Sequence, residues 1–378
     1  MRLGLIGTGR LGLCFALLAE KAGYRVFASD VREDYISNLC TRKIETNEPG
    51  VKNLLEKSRK LYPTTDNEEV IKCADLIYTL VATPSLDDGS YDVSAVWNVI
   101  DDFKKCDFDI SGKALVVGCT TNPGDCEKFQ DELAPYGVEV YYNPEFITQG
   151  NIIKDLVKAD MVLLGGRTGK NRTPEGRFVD EITDLYEDIQ LDKPNIHKMS
   201  TKAAEFTKIA VNCFLTTKIS FANLIGEAMT LDKNVGEIPN VLAAIGDDTR
   251  IGNKYLKFGF GFGGPCLPRD NRAFAAYVEK LGLEHNLGKV TDEFNNNHHK
   301  FLVDQLIASN VNKNPFAFQT AAYKNETDIL TESQQYKMCL EMLDRGYEVY
   351  IIDEMVKGLV DERIKFGVPE GEVYLVAL

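Results

Sequence analysis

A chain of 378 residues, 44% hydrophobic and 26% charged, has the composition of an ordinary soluble globular protein, with length for two or three domains. Its net charge of −14 argues against nucleic-acid binding, and any anionic ligand must be held by local donors against a repelling field. No uninterrupted apolar run approaches ~18 residues, so no membrane span is expected, and the first residues read as a strand with no signal peptide ahead of it.

Residues 2–6 form a short apolar strand running into Gly7-Thr8-Gly9-Arg10-Leu11-Gly12. An apolar helix follows to about Ala22, then a strand over 25–29 ending at Asp30. A lone G-x-G-x-x-G is weak evidence, but here it follows a strand, opens a helix and has an acid 18 residues past its last glycine. In that context Gly7 makes the tight turn, Gly9 admits a pyrophosphate to the helix N-terminus and Gly12 lets helix and strand pack. Asp30 is placed to bond the adenosine ribose and repel a 2′-phosphate, which favours NAD over NADP, although Arg32 stands close by.

Strands are then expected over 74–81, 113–119, 138–142 and 161–164, separated by helical stretches, which implies a parallel, doubly wound sheet. Polar residues gather where these strands end, in Thr83-Pro84, Thr120-Thr121 and Asn143-Pro144-Glu145-Phe146. Ligands of such sheets bind outside the carboxyl ends of the strands, so Thr120 and Glu145 are candidate site residues. A capping threonine and a solvated acid are the plainer readings.

From 200 to about 231 the sequence reads as one helix of roughly 45 Å. Glu205, Lys208 and Asn212 fall on one face of it. A surface salt bridge with a bystander asparagine would give that spacing too, but the apolar neighbours make a partly buried lysine the expectation. A helix this long and apolar also invites a two-fold partner, hence a homodimer. Next comes Gly259-Phe260-Gly261-Phe262-Gly263-Gly264-Pro265-Cys266-Leu267-Pro268-Arg269-Asp270. Cys266 is expected in a rigid, glycine-walled turn just before a helix, where a thiolate is favoured over the free thiol pKa of about 8.5. A buried structural cysteine is the alternative.

Two further helical stretches reach about Ala308, and a second α/β unit follows. It has a strand at 316–322, a loop with Lys324, Thr327 and Asp328, a helix at 333–345 and a strand at 348–352. Three segments result: a Rossmann-like domain at 1–198, a central helical and dimerisation segment with the cysteine at 199–309, and a small α/β domain at 310–378. The nine cysteines are scattered without a C-x-x-C pair, the pattern of a reduced cytoplasmic protein. None of the four histidines has metal-ligand spacing, and the His298-His299 pair, after three asparagines in a polar helix, is expected on the surface.

In their order these motifs resemble the UDP-glucose/GDP-mannose dehydrogenase family of nucleotide-sugar 6-dehydrogenases, most closely its UDP-glucose branch. The resemblance rests on the glycine loop, Thr46-Asn47-Glu48-Pro49-Gly50, Thr83-Pro84, Thr120 before Pro123-Gly124, and Asn143-Pro144-Glu145-Phe146. It continues through Glu205-x-x-Lys208-x-x-x-Asn212, Phe221-Ala222-Asn223, the 248–257 string and the Cys266 turn. It implies that a sugar C6 alcohol is oxidised twice with two NAD⁺, converting UDP-glucose to UDP-glucuronate through a Cys266 thiohemiacetal and thioester. Lys208 and Asn212 would stabilise oxyanions, while Glu145, Thr120 and Asp270 would handle protons and the hydrolytic water. Thr8, Arg10, Leu11, Thr83 and Thr120 join Gly7, Gly9, Gly12 and Asp30 as implied cofactor contacts. Phe146, Ile147, Lys208, Asn212, Tyr255, Lys257, Gly263 and Lys324 are the implied substrate contacts, with Arg250 reaching in from a neighbouring subunit.

This chain departs from the family pattern in places. Gln149 stands where a second acid is usual, Thr331 where an arginine usually precedes Glu332-Ser333, and the glycines expected after the 316–322 strand are absent. The chain also stops at Leu378, short of a segment in which many members place another nucleotide-contacting arginine. Two alternatives stay open: a dehydrogenase of GDP-mannose or UDP-N-acetylmannosamine, and a sugar-nucleotide binding protein without activity.

Overall fold

A computed structural model describes residues 2–168, 174, 176–369 and 371–376. In chain order the first elements are β1 (Arg2–Ile6), α1 (Arg10–Lys21), β2 (Arg25–Ser29), α2 (Glu33–Cys40), α3 (Val51–Lys57), β3 (Leu61–Thr64) and α4 (Asn67–Cys73). They continue with β4 (Leu76–Thr79), α5 (Ser94–Lys105), β5 (Ala114–Val117), α6 (Asp125–Leu133), β6 (Glu139–Tyr142), α7 (Ile152–Val157), β7 (Val162–Gly166), α8 (Arg177–Ile189) and β8 (Ile196–Ser200). The remainder is α9 (Thr201–Leu231), α10 (Ile238–Asp247), α11 (Leu267–Lys280), α12 (Leu287–Ser309), β9 (Phe316–Phe318), α13 (Gln334–Asp344), β10 (Val349–Ile351), β11 (Lys365–Phe366) and β12 (Tyr374–Val376). The chain divides into two compact units, 1–208 and 209–378, and the division falls within α9.

In the first unit eight strands run in the order β3-β2-β1-β4-β5-β6-β7-β8. The first six keep the strand order of a doubly wound dinucleotide-binding sheet. Alternate residues of each strand feed opposite faces. Leu76, Tyr78, Ala114 and Val116 enter one buried cluster, while Ile77, Leu115 and Val117 enter the other. Both faces are covered, which is why these strands are continuous apolar runs. Proline in β3 is tolerated because β3 is an edge strand. The sheet is not wholly parallel: β7 meets β6 antiparallel, through Tyr142 opposite Gly165, and β8 then follows β7 in parallel. A short apolar strand reads identically in either direction, so the sequence carried no sign of this reversal.

Glu205 anchors the start of α9. Its buried carboxylate accepts hydrogen bonds from the Thr121 hydroxyl at 2.8 Å, Gly124 N at 2.6 Å and Cys126 N at 2.9 Å, at the N-terminus of α6. Burial raises its pKa, opposed by those same bonds. Glu205→Ala strands three donors, and we expect it to cost about 3 kcal/mol in urea denaturation; a loss below about 0.5 kcal/mol would contradict this capping role.

In the second unit β9, β10, β11 and β12 form a small parallel sheet in the order β11-β10-β9-β12. Leu302 and Val303 of α12 and Met338 and Met342 of α13 share its core. Ala222 of α9 packs with Ile238 and Leu242 of α10 and with Leu256. By length and mean hydropathy α9 alone among the described helices is long and apolar enough to cross a membrane. It holds no uninterrupted apolar run of that length, because polar residues are spaced along the helix. Those residues are engaged within the chain: Glu205 as above, and Lys218 through the carbonyls of Ile251 and Gly252, both at 3.1 Å. About a third of its apolar stretch is buried in this chain (33%), and Phe214, Phe221 and Leu224 stand exposed along it.

Candidate active site

The glycine loop is built to receive a dinucleotide. A side chain at Gly12 would begin 2.1 Å from the Gly7 carbonyl oxygen, so only glycine lets α1 start this close to β1. At Gly9 there is open space, with no atom within 4 Å of where a side chain would begin. No side chain caps α1, so its first N–H groups are not taken up by a side-chain cap and suit an anionic group. Thr8 is buried, and Asp30 accepts from its backbone N at 3.1 Å and its hydroxyl at 3.3 Å. Arg32 clasps Asp30 through Nε and Nη2, both at 2.8 Å, and its guanidinium lies 4.1 Å from the centre of the Tyr35 ring. Burial alone would raise the Asp30 carboxyl, but the hydrogen bonds from Arg32 outweigh it and hold the carboxyl below its ordinary value. These residues fit an NAD cofactor: phosphate at the open Gly9 and α1 terminus, ribose at Asp30. Arg10 reaches Gln149 through Nη1 at 3.2 Å, while Leu11 is half-buried against the core of this unit. Thr83 is buried in the loop after β4, and Thr120 is half-buried just beyond β5.

Glu145 lies beyond the end of β6. The backbone carbonyl of Glu145 accepts from Lys208 Nζ at 2.6 Å, and that ammonium stands 4.3 Å from the centre of the Phe146 ring. Tyr186 of α8 donates its hydroxyl to the Glu145 carboxylate. Nearby, Tyr78 donates to Asn143 Oδ1 at 3.0 Å, and Asn143 Nδ2 donates to the Leu163 carbonyl at 2.9 Å, so the segment is pinned from beneath. Desolvation pushes the Glu145 pKa up to about 7, opposed by the Tyr186 hydrogen bond and the charge of Lys208. A carboxyl poised near neutrality suits proton transfer. Ile147 is half-buried against the same core as Leu11. Tyr186 went unnoticed in the sequence, because an aromatic at helical spacing in α8 reads as core.

The shift also has a consequence for stability. The folded chain holds the Glu145 proton to about pH 7, whereas an unfolded carboxyl releases it near 4.5. This contribution is therefore full below pH 4.5 and is lost as pH rises toward 7. The stability difference between wild type and Glu145→Gln should move against wild type over that window in urea titrations; a difference independent of pH would contradict it.

In the second unit Cys266 is exposed and occupies the N-cap of α11, whose first turn contains Pro268. The helix starts at Leu267, immediately after Cys266 as expected, since proline suits a first helical turn. Asp270, one turn in, is buried and accepts from Asn212 Nδ2 at 2.6 Å. Gly264 has φ +81°, and a side chain there would meet the Tyr323 ring at 2.7 Å, while one at Gly263 would meet the Glu332 carbonyl oxygen at 2.6 Å. The 323–332 loop thus walls the turn, and Gly264 N donates to the Thr331 carbonyl at 3.0 Å. Lys324 is half-buried in that loop. Arg250, Tyr255 and Lys257 stand on an exposed segment after α10, with Arg250 paired to Asp248 at 2.6 Å. His298 overturns the surface expectation: it is buried, and a polar run hid that because its partners lie far along the chain.

A doubly wound sheet with a glycine loop open at Gly9 and an acid at the end of β2 defines a dinucleotide-binding α/β protein. Residues 1–190 match the NAD-binding domain of the UDP-glucose/GDP-mannose dehydrogenase family, and residues 202–297 match its central domain. The chain belongs to that family: it is a nucleotide-sugar dehydrogenase, and its cofactor is NAD. It is similar to the UDP-glucose 6-dehydrogenase of Haloferax volcanii, 28% identical over 96% of this chain and 85% of that one. It is 30% identical to the UDP-glucose 6-dehydrogenase of Pongo abelii, over 93% of this chain and 73% of that one. The solved UDP-glucose dehydrogenase of Pyrobaculum islandicum superposes with a TM-score of 0.83 at 28% identity, covering 97% of this chain and 86% of that one.

Proposed function

We propose that this protein converts UDP-glucose to UDP-glucuronate by a four-electron oxidation at the sugar C6. The observation that carries the reading is Cys266: an exposed thiol at a helix N-cap, one turn from a buried aspartate that is bonded to Asn212. NAD⁺, when bound, supplies the electron acceptor for both oxidations. At the aldehyde level the Cys266 sulfur adds to the C6 carbonyl carbon, forming a C–S bond and a thiohemiacetal. At the acid level the same bond is a thioester, which water cleaves to release the carboxylate and return the thiol. Lys208 and Asn212, one turn apart on α9, stabilise the oxygen anion of these adducts. Glu145, with its raised pKa, moves protons to and from the C6 oxygen, and Thr120 and Asp270 assist the water.

The UDP-glucose assignment is supported by the 248–257 string and by the names of the relatives above. In this reading Phe146, Ile147, Tyr255, Lys257, Gly263 and Lys324 hold the nucleotide sugar. The kcat/KM values for UDP-glucose, GDP-mannose and UDP-N-acetylmannosamine test it. UDP-glucose should lead, and a higher value for either of the others would reassign the substrate. The scattered cysteines, odd in number and without a C-x-x-C pair, support a reduced cytoplasmic setting.

A homodimer belongs to the same proposal. Phe214, Phe221, Leu224 and Leu231 are exposed on α9 at spacings of seven, three and seven, which puts large apolar side chains on one stripe. A second copy is the self-complementary cover for such a stripe, and it would let the exposed Arg250 serve the partner's site. Sedimentation at assay concentration should give a dimer; a fully active monomer would refute it.

A further inference from the structure

The turn that leads to Cys266 is strapped by side chains from two helices. Asn223 of α9 accepts from Gly259 N at 3.1 Å. Asn295 of α12 takes both ends of Phe262, accepting from its N at 2.9 Å and donating to its carbonyl at 2.8 Å. His298 holds the remaining group, with Nε2 2.8 Å from the Gly259 carbonyl oxygen, while its Nδ1 lies 2.6 Å from Glu227 Oε1 of α9. The imidazole has no exposed surface and packs against Phe294, stacked at 5.8 Å, and Phe258, edge-on at 6.0 Å. A carbonyl oxygen only accepts, so Nε2 carries a proton, and because Nδ1 faces a carboxyl oxygen a second proton lies between them. Imidazole and carboxyl thus act as one two-proton clasp that ties α9 to the glycine turn.

We propose that His298 is a positioning residue for the reaction. With Glu227 it fixes where the glycine-rich segment leaves Gly259, and so where Cys266, seven residues on, presents its sulfur. The inference rests on the reading of Cys266 as nucleophile. A segment rich in glycine has no stiffness of its own, and a displacement near 1 Å can cost a reaction about 10²-fold.

Three variants separate hydrogen bonding from packing. His298→Phe keeps the ring stack and removes both bonds, Glu227→Ala removes the partner, and Glu227→Gln can donate its amide to a neutral imidazole. His298→Phe should lower kcat with UDP-glucose by about 10- to 100-fold while KM changes less than about threefold. The rate of Cys266 alkylation by iodoacetamide, followed by peptide mass spectrometry, should change with it. Glu227→Ala should show the same kcat loss, and Glu227→Gln should recover most of it. A folded His298→Phe enzyme with wild-type kcat and wild-type alkylation overturns the proposal. If that variant does not fold, equal kcat in Glu227→Ala and wild type overturns it instead. Cys266→Ala run alongside distinguishes the two failures: only retained activity there removes the nucleophile reading itself.

Discussion

Cys266→Ala is expected to lower the overall four-electron reaction by several orders of magnitude, because the covalent step disappears. The exposed position of Cys266 at the α11 N-cap has no substitute in the same unit. Cys213 and Cys339 are buried, and burial pushes both thiols well above their ordinary value. Cys266→Ser separates the stages. A hydroxyl of similar size can still leave the first oxidation possible, but it is a poorer nucleophile and a poorer leaving group. The variant should stall before free acid appears, with a slowly hydrolysing ester visible by intact-protein mass spectrometry. Glucuronate formation by Cys266→Ala at near wild-type rate would make the thiol structural and the glycine segment an ordinary tight turn.

Lys208→Ala should be nearly as severe. Its ammonium is buried, bonded to the Glu145 carbonyl and seated over Phe146, so it is held in one place instead of sampling solvent. Loss of one preorganised donor to a developing oxyanion typically costs about 10²–10³ in kcat. The substitution also removes a positive charge that holds the Glu145 pKa down, so the pH–rate limb assigned to Glu145 should move upward. Arginine is not a conservative replacement here, since a planar fork cannot occupy the space of a compact ammonium. Steady-state rates across pH check both effects. A wild-type kcat in Lys208→Ala would limit the lysine to bracing the Glu145 segment.

The parts of this molecule governed by local rules were readable in the sequence. The first two strands fall at 2–6 and 25–29 as the apolar runs indicate, and the long helix spans Thr201–Leu231 against an expected 200–231. The lysine at 208 is buried as its apolar neighbours implied. What escaped reading depends on partners distant in the chain. Strand β8, with the sequence Ile-His-Lys-Met-Ser, has the weak pattern of a sheet edge and exists because β7 pairs with it. Glu205 falls on the expected partly buried face with Lys208, but its partners Thr121, Gly124 and Cys126 meet it only in the fold. Tyr186 and His298 are likewise defined by bonds to residues 41, 71 and 39 positions away. Helical periodicity registers which face is apolar, but it does not say which polar side chain will be carried inside to meet a loop.

The most direct test of the account is the yield of NADH per molecule of UDP-glucose, measured to completion with limiting sugar and excess NAD⁺. Two NADH and one UDP-glucuronate per UDP-glucose are predicted, because Cys266 retains the aldehyde until it reaches the acid. One NADH with release of the free aldehyde would contradict the cysteine relay, and none with any nucleotide sugar would contradict the assignment as an enzyme.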